Sequence, residues 1–147
     1  MAETYDFTKD CYGSHEDKER FHRVAKRQLK QLAREMGFPA GSFDLRSNKG
    51  GPAVSGEITL HHEDIYIQAS NPGRRQETGL LIRTCKGRKD YTGGRNHFAP
   101  LTWLDDADRQ RLVALAKQVI EQKNGFNADE KNDPSYNPYY STPVRSR

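Results

Sequence analysis

From Phe21 to Met36 the apolar residues return every three or four positions, at Phe21, Val24, Ala25, Leu29, Leu32, Ala33 and Met36. That is the period of an α-helix with one buried side. Ser14, with Asp17 three residues on, gives a capping-box-like start. Glu16, Asp17 and Glu19 place negative charge where the helix dipole favours it, and Gly37 followed by Pro39 ends the helix. Residues 43–52 read as a polar, glycine-rich connector, after which the period shortens to two. Val54, Ile58 and Leu60 alternate with Glu57, Thr59 and His61. Beyond a short His62-Glu63-Asp64 turn, residues 65–69 alternate again, and residues 78–84 supply a third strand. Turns this short favour antiparallel pairing. A helical period returns at Trp103, Leu104, Leu112, Leu115, Ala116, Val119 and Ile120. Its predicted start is Thr102, with Asp105 in the capping-box position and Asp106 and Asp108 behind it, and its predicted end is Lys123-Asn124-Gly125.

The expected fold class is therefore α+β: a helix, a three-stranded antiparallel meander and a second helix, packed as a two-layer α-β-β-β-α sandwich over residues 14–125. Residues 1–13 read as a flexible leader. Residues 126–147, where Pro, Asn, Ser and Tyr replace any period, read as a disordered C-terminal tail with Tyr136, Tyr139 and Tyr140 as potential stickers. The composition agrees: 33% of the 147 residues are hydrophobic, 30% are charged and the mean hydropathy is -1.01, too polar for every segment to join a core.

Charge and cysteine usage narrow the setting. No apolar run approaches the roughly 20 residues that span a bilayer, and the first residues lack a basic-then-apolar signal. Cys11 and Cys85 have no metal-type spacing, so a reducing bacterial or cytosolic interior with both thiols free, and a cytoplasmic location, is expected. A net charge of +4 leans toward an anionic partner, nucleic acid first.

Two segments concentrate that charge. Residues 84–100, TCKGRKDYTGGRNHFAP, set Lys86, Arg88, Lys89 and Arg95 among Gly87, Gly93 and Gly94, with Tyr91, His97 and Phe98 interleaved. Adjacent cations repel unless water or an anion faces them, and glycine lets a backbone approach a ligand, so this is the expected working loop. On the first helix, Arg20, Arg23, Arg27, Lys30 and Arg34 fall within about one quarter of the circumference, almost opposite the apolar stripe. That arc reads either as a solvated face or as a rail for phosphates. Arg74 and Arg75 add a basic turn. Lys and Arg would contact phosphates, and Tyr91 or His97 would stack on a base.

Other chemistry is weaker. His61 and His62 are neighbours on a strand and point to opposite faces, so no metal site is expected. The loop lacks the G-x-x-x-x-G-K-[ST] order, and no cofactor is implied. Cys85 and His97 could pair as thiolate and base, or Asp90 with Tyr91 or His97 as acid and base, in a small hydrolase or transferase.

The element order matches that of the double-stranded RNA-binding domain. That family, however, keeps a basic cluster at the start of its last helix, where Asp105, Asp106 and Asp108 stand here. The run Cys85-Lys86-Gly87-Arg88-Lys89-Asp90-Tyr91-Thr92-Gly93-Gly94, continuing through Asn96, Phe98 and Ala99, resembles a motif in short, uncharacterised bacterial proteins of plasmids and other mobile elements. The resemblance implies an accessory role in a mobile element and brings no activity and no catalytic residue. The expected function is thus a small, basic, non-catalytic protein that contacts nucleic acid. The alternatives are an interaction or inhibitor module acting on a host protein and the small enzyme above.

Overall fold

The apolar stripe of the first helix, α1 (His15–Glu35), seats the whole chain. Phe21, Val24, Ala25, Leu29, Leu32 and Ala33 are all buried, as the period requires. The helix closes with paired reverse bonds: the amide of Gly37 donates to the carbonyl of Arg34 (3.0 Å), and that of Phe38 to Ala33 (2.9 Å). This is a Schellman cap, and it needs the left-handed conformation that Gly37 adopts at φ 81°.

The computed structural model describes residues 3–8, 15–49, 56–71, 78–88 and 94–129, with backbone alone over 123–129. Five strands follow α1: β1 (Phe43–Asn48), β2 (Glu57–His62), β3 (Ile65–Ala69), β4 (Leu80–Thr84) and β5 (His97–Ala99). They form one antiparallel sheet in sequence order. A short 3-10 turn, Leu101–Leu104, leads to the second helix, α2 (Arg109–Asp129). Register aligns Leu45, Leu60, Ile67, Ile82 and His97 across the sheet on one face, with Ile58, Ala69, Leu80 and Ala99 in the next row. This inner face is the core side: α1 lies against β1 and β2, α2 against β3 and β4. The outer face carries Asp44, His61, Tyr66 and Arg83 in one row and Arg46, Thr59, Gln68, Leu81 and Phe98 in the next.

The expected three-stranded sandwich is corrected to this five-stranded sheet. β1 occupies what reads as a connector, because only Phe43 and Leu45 mark its inner side and its last three residues are exposed, as an edge strand permits. Gly56, on the β1–β2 connection, holds φ +70°, and a Cβ there would sit 2.3 Å from the carbonyl oxygen of Asn48. β5, three residues inside the supposed loop, is too short for any period.

Three boundaries also move. Residues 3–8 are not a loose leader, since Tyr5 and Phe7 are buried in the core and pack with Phe21 at ring separations of 5.3 to 6.1 Å. α2 begins at Arg109 rather than Thr102, with Asp105, Asp106 and Asp108 in the turn before it. It also runs through Gly125 to Asp129, because one glycine costs a helix only about 1 kcal/mol and nothing after it forbids another turn. Residues 130–147 lie outside the described residues. Among those described, no helix is long and apolar enough to cross a membrane.

One ion network joins the two helices. Arg109, buried, gives two parallel bonds to Glu35 (Nε–Oε1 and Nη2–Oε2, both 3.0 Å) and reaches Asp106 (2.6 Å) and Gln28 (3.3 Å) through Nη1. Bonds from Arg109 hold both carboxyls below the usual carboxylate range.

The packing of the N-terminal segment is directly testable. Phe7→Ala is expected to lower unfolding stability by about 3 kcal/mol, the usual cost of emptying a buried phenylalanine site, measured by urea denaturation. A loose leader would give no change.

Candidate functional site

Helical geometry decides where the first basic cluster points. With the apolar stripe of α1 on the inner face of the sheet, Arg20, Arg23, Arg27, Lys30 and Arg34 lie on the far side of the helix, facing solvent. Successive cations are three or four residues apart, and the row runs about 21 Å. Arg20, Arg23, Lys30 and Arg34 are exposed and Arg27 is half-buried; Lys26, also exposed, flanks the row.

Carboxylates gather at one end of that row. Glu3 accepts two bonds from Arg23 (Nε–Oε1 2.9 Å, Nη2–Oε2 2.8 Å) and lies 3.5 Å from Nε of Arg20. Glu16 occupies the same arc one turn before Arg20. Glu19 pairs with Lys49 at 2.6 Å. Toward the other end, Lys26, Arg27 and Lys30 form no ion pair with another described residue, and Arg34 bonds only the neutral Gln31 (3.2 Å). Among the described residues, the part of the row without ion pairs is its C-terminal half.

The second cluster has a different role. After β4 the chain crosses the outer face of the sheet toward β1. Nε2 of His61, on β2, lies 2.8 Å from the carbonyl oxygen of Gly87. Arg88 then reaches the start of β1, where Nε and Nη2 donate to the two oxygens of Asp44 (both 3.0 Å). Its remaining donors go to the carbonyls of Gly41 (2.6 Å) and Phe43 (3.1 Å). Every nitrogen of that guanidinium is engaged, so Arg88 pins a strap. His61, fully buried beneath the strap, meets Tyr66 edge-on (5.4 Å), and Arg83 lies over the Tyr66 ring (5.0 Å). Beside the strap is an open groove lined by Ser42, Glu63, Asp64, Lys86, Gly87 and Arg88, a mixed-sign lining.

The expected loop residues therefore divide. Lys86 and Arg95 are exposed. His97 is half-buried on β5, bonded to Gln122 of α2. Lys89, Asp90, Tyr91, Arg74 and Arg75 lie outside the described residues. The strap lies on the outer face and the α1 row behind the inner one, so Arg88 and the helix cations do not share one surface.

The catalytic pairing of Cys85 with His97 is not assembled either. Cys85 is buried and its thiol donates to the carbonyl of His62 (3.1 Å). His97 pairs with Ile82, three residues back along β4, about 10 Å away at strand rise. His61 and His62 do point apart, His62 stacking flat on Phe38 at 3.9 Å. Among the described residues no group of three or more His, Cys, Asp or Glu side chains is placed to hold a metal ion. The residue that sequence reasoning missed is Glu3. Its signal was the Tyr5-x-Phe7 alternation that packs the N-terminal segment beside α1.

Compared with protein-family models, with curated proteins and with solved structures, the chain matches none.

Burial holds both His61 and His97 below the ordinary imidazole value of 6.5. As pH falls below that value the unfolded chain takes up protons that the folded chain refuses, so the stability present above it is progressively lost. The urea midpoint is expected to fall between about pH 7.5 and pH 5.5, and His61→Gln, which keeps a donor for Gly87, is expected to flatten part of that fall. A midpoint that rises on acidification would contradict the buried, neutral assignment.

Proposed function

We propose that this protein is a non-catalytic nucleic-acid-binding protein that grips phosphates along the outer row of α1, chiefly through Arg27, Lys30 and Arg34. The observation that carries the reading is the row itself: five cations along one solvent-facing side of the helix, with no described carboxylate in an ion pair with its C-terminal half. A solvated helix face ordinarily mixes signs. A row of one sign raises the local potential and favours a partner with regularly repeated negative charge.

Helical side chains that meet only phosphates read no bases, so binding is weakly sequence-selective and falls with salt. Lys86 and Arg95 form at most a second, separate contact; Arg88 is committed to Asp44. The resemblance of residues 85–99 to a mobile-element motif gives this reading a setting, an accessory protein acting near DNA or RNA in a bacterial cytoplasm.

Fluorescence anisotropy with random-sequence duplex DNA and RNA, titrated from about 25 to 200 mM salt, tests it. Three engaged cations correspond to a slope of log K against log salt near -2.7, from about -0.9 per phosphate contact. R27Q/K30Q/R34Q is expected to weaken binding at least tenfold and remove most of that slope, while K86Q/R95Q has the smaller effect. Absence of salt-dependent binding at the lowest salt, or a triple variant that binds like wild type, would overturn the proposal.

A further inference from the structure

The N-terminal half of the row already holds an anion, supplied by the chain itself. Glu3 receives the paired bonds of Arg23 at 2.8 and 2.9 Å, and Arg20 approaches the same Oε2 at 3.5 Å. Two arginines converging on two oxygens of one planar group is the geometry that guanidinium offers to a phosphate as readily as to a carboxylate. The bond from Arg23 holds the Glu3 carboxyl below its usual range, with the fields of Arg23, Arg20 and Arg27 acting in the same direction, so Glu3 remains charged near neutrality.

Glu3 does not reach this place by chance encounter. Tyr5 and Phe7, two and four residues on, are buried against Phe21, so the anchor fixes the segment and keeps the carboxylate beside α1. A tethered group competes as though present at high local concentration. Yet Glu3, Arg20 and Arg23 all remain partly exposed, at 35%, 46% and 56% of their side chains, so water and an incoming anion reach the contact. The core that anchors the segment begins at Tyr5, and Glu3 can leave without disturbing it.

We propose that Arg20 and Arg23 form a phosphate-binding fork at which Glu3 is a built-in, displaceable competitor. This rests on the reading of the α1 row as a phosphate rail and adds its regulation. With Glu3 in place, the rail is short and begins at Arg27. When a polyanion already engaged at Arg27, Lys30 and Arg34 extends along the helix, its next phosphates compete with Glu3 for the fork and displace it only part of the time. A ligand with a single phosphate gains no such foothold and leaves Glu3 seated. The contact thus biases the protein against small anions and toward long ones.

The test is a cycle of variants in the full chain, read by anisotropy with the same random-sequence duplex at about 50 mM salt, alongside thermal melting of each variant. Glu3→Gln keeps size and hydrogen bonding while removing the charge. It is expected to tighten binding roughly five- to tenfold and steepen the salt slope by up to about 1.8, two further phosphate contacts at about 0.9 each. R20Q/R23Q in the wild-type background is expected to cost less than about threefold, because Glu3 already occupies those residues. Combined with E3Q it is expected to return affinity to the wild-type level, a non-additivity that unlinked sites would not show. If wild type binds and E3Q binds equally or more weakly with unchanged melting, the competitor role is overturned and the rail stands. If neither protein binds, the rail and the competitor fail together.

Discussion

Burial of one side of α1 against β1 and β2 fixes nearly everything else. Phe21, Val24, Ala25, Leu29, Leu32 and Ala33 have no other apolar surface to meet, and at about 1.5 to 3 kcal/mol for a large buried side chain their combined preference outweighs any single surface charge. A helix cannot turn one side inward without turning the opposite side outward. The row from Arg20 to Arg34 faces solvent because the core demands it, and its availability to a partner is a by-product of packing. Gly37 and its reverse bonds then end the helix so that the chain enters β1 on the correct edge.

The same constraint sorts the chain's cations into those that build and those that remain open. Arg109 is buried between the helices and holds Glu35, Asp106 and Gln28. Arg88 secures the strap over His61 by satisfying Asp44 and two carbonyls. Arg83 covers Tyr66. Such residues contribute to the formal charge of +4 without presenting it to a ligand. The C-terminal half of the α1 row does present it. Charge composition alone could not separate the two sets, because the difference lies in which carboxylate or carbonyl the fold brings within 3 Å.

Legibility from sequence followed the length and depth of each element. α1 was readable because twenty-one residues carry six buried apolar positions at a constant period, and β3 because five residues alternate between two turns. β1 and β5 were not, since an edge strand with three exposed residues and a strand of three residues carry too little period to register. The basic row was legible as geometry on a helix. The bond from Arg88 to Asp44 was not legible, since that partner lies 44 positions away in a segment that looked like a connector. Glu3 was missed for a related reason: two aromatics separated by one residue look like a tail until Phe21 is seen to receive them.

The claim at the centre of this account is that the outward side of α1, and not the strap over the outer sheet face, meets the anionic partner. Nitrogen–proton correlation spectra that follow the arginine Nε and backbone amide signals during addition of a short duplex address it residue by residue. The expected result is progressive shifts at Arg27, Lys30 and Arg34, spreading to Arg20 and Arg23, with Arg88 and His61 unmoved. Shifts confined to Lys86, Arg95 and the outer-face residues Arg46 and Phe98, with the α1 signals still, would contradict it.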